Sequence, residues 1–308
     1  MLTDPSLPIV GRRLRSDADW WRLRGLLSEL GALTPPGFAW NVRRLDGRRF
    51  STVNPVSLPA VQLWETRDGR LVAAICDESP GEAHLQVHPG FRVVEPELIG
   101  WAEHALSEPA GDATRHRLEL PVGENDELRL GLLRERGYEE TPSCGATYRL
   151  LLGRRASPRR RLYGGYVLRN TQPTDPLDCR QIAGLLNAAF SRTFHTPEEY
   201  ATFARLAPSF RADLDLVAVA PDGTFAAYVG ASYDEAGRRG ILEPVCTAPG
   251  HRRRGLARAL IEEGLCRLEA RGAVDAVVET GSGAAANALY AGLGFTESYR
   301  ATTWRRVW

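Results

Sequence analysis

The chain is 308 residues long, 43% hydrophobic and 25% charged, with a formal net charge of +1. That length buries a substantial core and is long for one domain, so two domains of an ordinary globular protein are expected. The near-neutral charge excludes bulk electrostatics as a route to nucleic acid or a membrane, and because all 39 basic residues are arginine, no lysine serves as a nucleophile or Schiff base.

The cysteines at 76, 144, 179, 246 and 266 are scattered, odd in number and without a CxxC pair, so no metal site and no disulfide framework is expected. No apolar run reaches bilayer length, and Met1 to Pro5 lacks the charged and apolar regions of a leader. A cytoplasmic protein is the expectation, with no membrane and no nucleic-acid partner.

In chain order, the aromatic residues Trp20, Trp21 and Trp40 read as core or interdomain packing, with an aromatic acceptor pocket as the alternative. Val61 to Glu65 and Leu71 to Asp77 read as strands around the turn Arg67-Asp68-Gly69, and Glu82 to Pro89 as another strand. Glu97 to Leu106 reads as a helix, Arg115 to Leu120 as a strand and Asp126 to Arg136 as a helix. The basic run Arg154 to Arg161, with Ser157-Pro158 in its middle, reads as a solvated linker.

The second half follows. Tyr166 to Arg169 reads as a strand, and Asp178 to Phe190 as a helix with Ile182, Leu185, Leu186 and Ala189 at helical spacing. Pro197 to Leu206 is a helix capped by Thr196, and His195 before it reads as a loop cap, or as a wall of the acceptor cleft. Leu214 to Ala220 and Thr224 to Tyr233 form a hairpin across Pro221-Asp222-Gly223, with Arg239 to Thr247 as the next strand. Arg254 to Ala270 is a long helix ended by Gly272, Ala273 to Thr280 a strand, Ala284 to Ala291 a helix, and Phe295 to Val307 one or two final strands.

The segment with most chemical content is Arg252-Arg253-Arg254-Gly255-Leu256-Ala257-Arg258, between a strand and a helix. Unpaired helix N-terminal amides, the helix dipole, a glycine and cationic side chains together hold phosphates. Downstream stands Leu289-Tyr290-Ala291-Gly292-Leu293-Gly294-Phe295.

Across residues 166–308 these two motifs, in this order of elements, resemble the GNAT superfamily of Gcn5-related N-acetyltransferases. The first matches the family's Gln/Arg-x-x-Gly-x-Gly/Ala loop and the second its Leu-Tyr-x-x-x-Gly-Phe signature. The family's Asn before the second helix is replaced here by Gly281-Ser282-Gly283, with Asn287 one turn later. The resemblance implies a mixed α/β fold, a central twisted mixed sheet flanked by helices, and acetyl-CoA as co-substrate, without a metal. It implies that Arg252 to Arg258 hold its pyrophosphate and that Val245, Cys246 and Thr247 pair with pantetheine as an added strand. Asn287 and Tyr290 complete that set.

Acyl transfer to an amine needs a base, oxyanion stabilisation and a proton for the leaving thiolate. A backbone N–H near Val245 or Cys246 suits the oxyanion. Tyr290, a phenol of ordinary pKa about 10, suits a thiolate of about 8.5. Glu243, and Glu279 on the neighbouring strand, are the candidate bases, with a rim charge or salt bridge as the alternative for Glu243. Cys246 reads as a small buried residue rather than a nucleophile.

The first half repeats the plan. Leu132-Leu133-Arg134-Glu135-Arg136-Gly137-Tyr138 parallels the second motif, and Cys144 to Arg149 parallels Arg300 to Arg305. In place of the arginine-glycine loop it has His88-Pro89-Gly90-Phe91-Arg92-Val93-Val94-Glu95-Pro96, whose glutamate repels a pyrophosphate, and Leu133 replaces Tyr290. Two tandem GNAT-like domains are therefore expected: a degenerate one at 1–153, a linker at 154–165, and an active one at 166–308. The expected activity is acetyl-CoA-dependent transfer to the primary amine of a small molecule by direct attack in a ternary complex. The alternative is a non-catalytic acyl-CoA-binding or partner-binding protein.

Overall fold

Apolar residues recurring at period two or at helical spacing, separated by glycine- and proline-marked turns, fold into alternating strands and helices. The computed structural model describes residues 9–51, 61–111, 114–153, 162, 164–281 and 283–308. The arginine run 154–161, Ser282 and the first eight residues lie outside them.

In the first half, β1 (Ile9–Arg13), β2 (Gln62–Thr66), β3 (Leu71–Asp77) and β4 (Ala83–Val87) form an antiparallel sheet in that order. Helices α1 (Asp17–Leu33), α2 (Val42–Phe50) and α3 (Glu95–Ala105) belong to the same half. Helix α1 starts where the Ser16 side chain accepts from the Asp19 amide, and it buries Trp20, Leu23, Leu27 and Leu30. Asn41 caps α2 in the same way through the Arg44 amide, at 2.8 Å. Then come β5 (Glu108–Ala110), β6 (Arg115–Gly123), α4 (Glu127–Glu135) and β7 (Glu139–Leu151).

The second half runs β8 (Val167–Asn170), α5 (Pro176–Phe190), α6 (Pro197–Leu206), β9 (Asp215–Val219), β10 (Phe225–Asp234) and β11 (Arg239–Thr247). It ends with α7 (Leu256–Ala270), β12 (Asp275–Thr280), α8 (Ala284–Gly292) and β13 (Thr296–Val307). Thr196 caps α6 in a full capping box with Glu199. Residues 296–307 form one long strand rather than two.

The larger sheet has nine strands in the order β5-β6-β13-β7-β12-β11-β10-β9-β8. Strands of the two halves interleave in it. The last strand of the first half, β7, pairs antiparallel with β12, Asp275 opposite Leu151. The last strand of the second half, β13, pairs antiparallel with β6, Val307 opposite Arg117. Between them β7 and β13 pair with each other through Ala301↔Gly145 and Thr302↔Cys144. Each half thus lends its final strand to the other.

The cores follow. Leu150 of the first half packs with Leu216, Leu260 and Phe295 of the second. Trp304 of the second packs with Trp64, Leu98 and Leu118 of the first, and Ile241 and Val277 join Leu27 and Leu30 of α1. The mixed α/β architecture in two repeats agrees with expectation. β1, α1, α2, β5 and β7 go beyond it. Strand β7 contains Thr141-Pro142-Ser143-Cys144-Gly145, a poor strand sequence: Cys144 and Gly145 pair with β13 alone, next to a register shift, and only from Ala146 to Leu151 does β12 pair on the other edge. Trp20 and Trp40 are packed inside as expected, whereas Trp21 is 54% exposed because it lies on the outer face of α1. Among the described residues no helix is long and apolar enough to cross a membrane.

Candidate active site

The site begins where two central strands part. β11 and β12 pair in parallel only from Arg239↔Asp275 to Ile241↔Val277. Beyond that, Val278, Glu279 and Thr280 pair with β7 on their other side. On its own other side β11 pairs with β10, with a register shift between Val229 and Ala231. Glu243 and Pro244 fall in that shift, opposite Gly230. A Cβ on Gly230 would stand 2.8 Å from the Glu243 carbonyl oxygen, so the bulge closes only around a glycine. The edge of β11 from Leu242 to Thr247 therefore faces an open wedge with no ladder partner in β12.

At the mouth of the wedge the chain turns through Pro249–His251 into α7. Arg253 (φ 62°) and Gly255 (φ 74°) both adopt left-handed backbone. No side chain caps α7, whose first amides remain open. A groove of about 580 Å³ runs from these amides, past Val245, Cys246 and Thr247, to Ala286, Leu289 and Tyr290 of α8. Arg252, Arg253, Leu256, Ala257 and Arg258 line it; Arg254 is exposed outside it. The Arg252 side chain donates to the Ala189 carbonyl at 3.2 Å, and Arg258 is paired with Glu262 at 3.0 Å. Asn287 does not line the groove either: its Oδ1 is buried, without a partner among the described residues. His251, at the head of the arginine run but not assigned to the site from sequence, does line it, with Nδ1 2.8 Å from the Tyr166 hydroxyl.

At the inner end, Tyr290 faces both this groove and a second cleft of about 650 Å³. Tyr290 is 4% exposed. Burial, and then the neighbouring Cys246, pushes its hydroxyl up to about 12. Burial also pushes the Cys246 thiol up to about 12, which keeps it protonated. Glu243 and Glu279 meet in the second cleft. Burial raises the Glu243 carboxyl; Arg43 opposes this, Glu279 adds to it, and Arg44 and Asn41 oppose it. Glu279 accepts from Asn41 Nδ2 at 3.2 Å and pairs with Arg44 at 3.1 Å.

Asn41, Arg43 and Arg44 come from the start of α2, in the first half, and Arg44 also pairs with Glu78 and lies 4.9 Å from the Trp40 ring centroid. His84 Nε2, beside them, contacts Glu82 at 2.8 Å and Glu78 at 3.2 Å. None of these residues carries a motif; the one local signal is the polar character of a helix, Arg43-Arg44 and Arg48-Arg49, that nevertheless buries Val42, Leu45 and Phe50.

Residues 180–295 match the profile of the Acetyltransferase (GNAT) family. That match lies within the second half of the chain. No curated protein matches the chain by sequence. A GCN5-related N-acetyltransferase from Sphaerobacter thermophilus superposes with a TM-score of 0.67 at 20% identity, covering 100% of this chain and 97% of the other. A tandem GNAT protein from the clavulanic acid biosynthesis pathway gives 0.67 at 18% identity, covering 97% and 98%. An acetyltransferase of the GNAT family from Colwellia psychrerythraea gives 0.60 at 14% identity, covering 96% and 99%. Over its whole length the chain has the tandem GNAT fold.

The first half repeats the plan, with a buried, paired carboxylate at the start of α3. β4 and β6 approach in parallel only at Glu82↔Glu119. The Tyr138 amide donates to the Leu133 carbonyl at 3.0 Å, as the Phe295 amide does to Tyr290 at 3.0 Å. The glutamate expected to repel a pyrophosphate, Glu95, is instead the first residue of α3 and 0% exposed. It accepts from Arg129 at 3.0 Å and from Arg92 at 2.6 Å, and Arg92 reaches Asp126 at 2.7 Å. Where the second half presents open amides to a groove, the first half holds an internal carboxylate neutralised by two guanidinium groups.

Proposed function

We propose that the chain is an acetyl-CoA-dependent N-acetyltransferase that passes an acetyl or other short acyl group to the primary amine of a small molecule, by direct attack in a ternary complex. The observation that carries this reading is the wedge between β11 and β12, which links the uncapped start of α7 to Tyr290 and Glu243. The open amides of α7 with Arg252 and Arg253 suit a pyrophosphate, and the unpaired β11 edge suits the amides of pantetheine. Bound acyl-CoA supplies a thioester carbonyl. A β11 amide near Val245 or Cys246 then donates to the oxygen that gains charge. Glu243, with Glu279 beside it, takes the proton of the attacking amine, and Tyr290 donates its hydroxyl proton to the departing sulfur. We assign transfer to residues 166–308, joined through 154–165 to a non-catalytic unit at 1–153. Trp40 and Arg44 of that unit narrow the cleft over Glu243, which favours a small acceptor over a protein side chain. We infer a cytoplasmic setting, where the free cysteines stay reduced.

Calorimetric titration with acetyl-CoA tests this. One site per chain is expected, and Gly255→Glu, which places a carboxylate at the phosphate position, abolishes it. Absence of binding by the parent protein overturns the reading.

A further inference from the structure

Glu243 and Pro244 also line a second recess, of about 340 Å³, between α2 of the first half and the α5–α6 loop of the second. Two of its arginines are paired with carboxylates. Arg48 is paired with Asp77 at 2.7 Å, and Arg44 with Glu78 and Glu279. Glu199 accepts from the Thr196 amide at 3.0 Å, and burial raises its carboxyl, as it does that of Glu243. Arg43 and Arg192 remain. Neither side chain forms a salt bridge or a hydrogen bond with another described residue, although Arg43 acts through space on the buried carboxyls of Asp46, Asp215 and Glu243.

Both guanidinium groups are nonetheless held in place. Arg43 lies 3.8 Å from the Phe203 ring centroid. Arg192 lies 5.1 Å from that of Phe190 and 5.4 Å from that of Phe194. A guanidinium stacked on a ring keeps its N–H edge available to donate. The loop that carries Arg192 is pinned by Asn187, which bonds the His195 carbonyl at 2.9 Å and its amide at 3.1 Å. His195 has a buried Nε2 with no partner among the described residues, and burial, then Arg192, lowers its ring below the usual imidazole range.

We propose that this recess anchors the acceptor, and that the acceptor is an amine bearing an acidic group, carboxylate or phosphate, held by Arg43 and Arg192 while its nitrogen meets Glu243. The inference rests on reading the Glu243–Tyr290 cleft as a transferase site. It explains why the anchoring arginines come from both halves: the acceptor is gripped across the junction. Planar guanidinium forks match either acid bidentately, and a neutral carboxamide cannot replace that contact.

The test is calorimetric titration of the full chain, without acyl-CoA, with amino acids, their carboxamides and their aminophosphonate analogues. The acids are expected to bind at least tenfold more tightly than the carboxamides. That preference is expected to disappear in Arg192→Gln and in Arg43→Gln. Tighter binding of the phosphonates than of the carboxylates would assign the acidic group as a phosphate. Equal binding of acid and carboxamide, including no binding of either, overturns the proposal. So does a preference that survives both substitutions. Arg192 is exposed, so Arg192→Gln decides the matter if Arg43→Gln fails to fold. Acid-selective binding in a protein that does not bind acetyl-CoA would defeat the transferase reading alone. Acetyl-CoA binding without acid selectivity would defeat only the anchoring subsite.

Discussion

Tyr290 keeps its proton through neutral pH because burial pushes its hydroxyl up to about 12. It can therefore donate to a developing thiolate, but it cannot act as a base there. Tyr290→Phe removes one oxygen and preserves the ring contacts to Tyr148 and Phe295 at 6.2 and 5.9 Å. Turnover is expected to fall by about 10²-fold while acetyl-CoA affinity is unchanged. Steady-state kinetics beside calorimetry checks this, and unchanged turnover would remove Tyr290 as the acid. Glu243 gives a second test through stability. Its folded carboxyl is raised, so between the ordinary carboxylate range and the raised value the folded chain holds a proton that the unfolded chain has released. Stability from this group is full at low pH and is lost as pH rises through that window. Glu243→Gln removes the loss. The stability difference, variant minus parent, should increase with pH in denaturant titrations, and a flat difference would contradict the burial of this group.

At the scale of elements, α2 is the first half's contribution to the site. Arg44 is a positioning residue: it touches Glu78 and Glu279 and stabilises the ionised form of Glu243 through space. Arg44→Gln removes that cation. On the proposal that Glu243 is the base, the acidic limb of the kcat/KM profile is expected to move to higher pH with the plateau preserved. A loss of plateau activity at unmoved pH would indicate a structural role instead. Helices α3 and α7 show how one framework serves two ends. Both follow a turn after a strand and neither has a side-chain cap, but α7 starts at Gly255 beside the groove while α3 starts on Glu95, whose carboxylate is already satisfied by Arg92 and Arg129. The first faces a groove, where we propose the phosphates bind; the second is filled by packing and ion pairs.

Across the whole molecule, the exchange of β7 and β13 makes each half depend on the other for a central strand. Trp304 belongs by sequence to the second half and by packing to the first half's core, with Trp64, Leu98 and Leu118. Trp304→Ala should destabilise by about 3–5 kcal/mol. Because the sheet is continuous, the variant should still unfold in one cooperative transition that takes the GNAT groove with it. Two separate calorimetric transitions would show instead that the halves fold independently.

Local chemistry was legible in the sequence. The hairpin at Pro221-Asp222-Gly223, helices α7 and α8, and the motifs from Arg252 to Arg258 and from Leu289 to Phe295 are written in residues adjacent in the chain. Their backbone conformations follow from glycine, proline and period alone. Glu243 and Glu279 could be paired from sequence because both lie on strands flanking one motif. Arg254 and Asn287 could not be excluded from the groove, since which face of a turn looks inward depends on what packs behind it. Only the tertiary structure decided that β7 would stand between β12 and β13. It alone brought Arg44 to Glu279 across 235 residues, and it alone placed Arg43 and Arg192 on one recess. The physical reason is common to all three. Strand partners and ion pairs between distant segments are selected by the shape and charge of the assembled halves, and no period in either half encodes them.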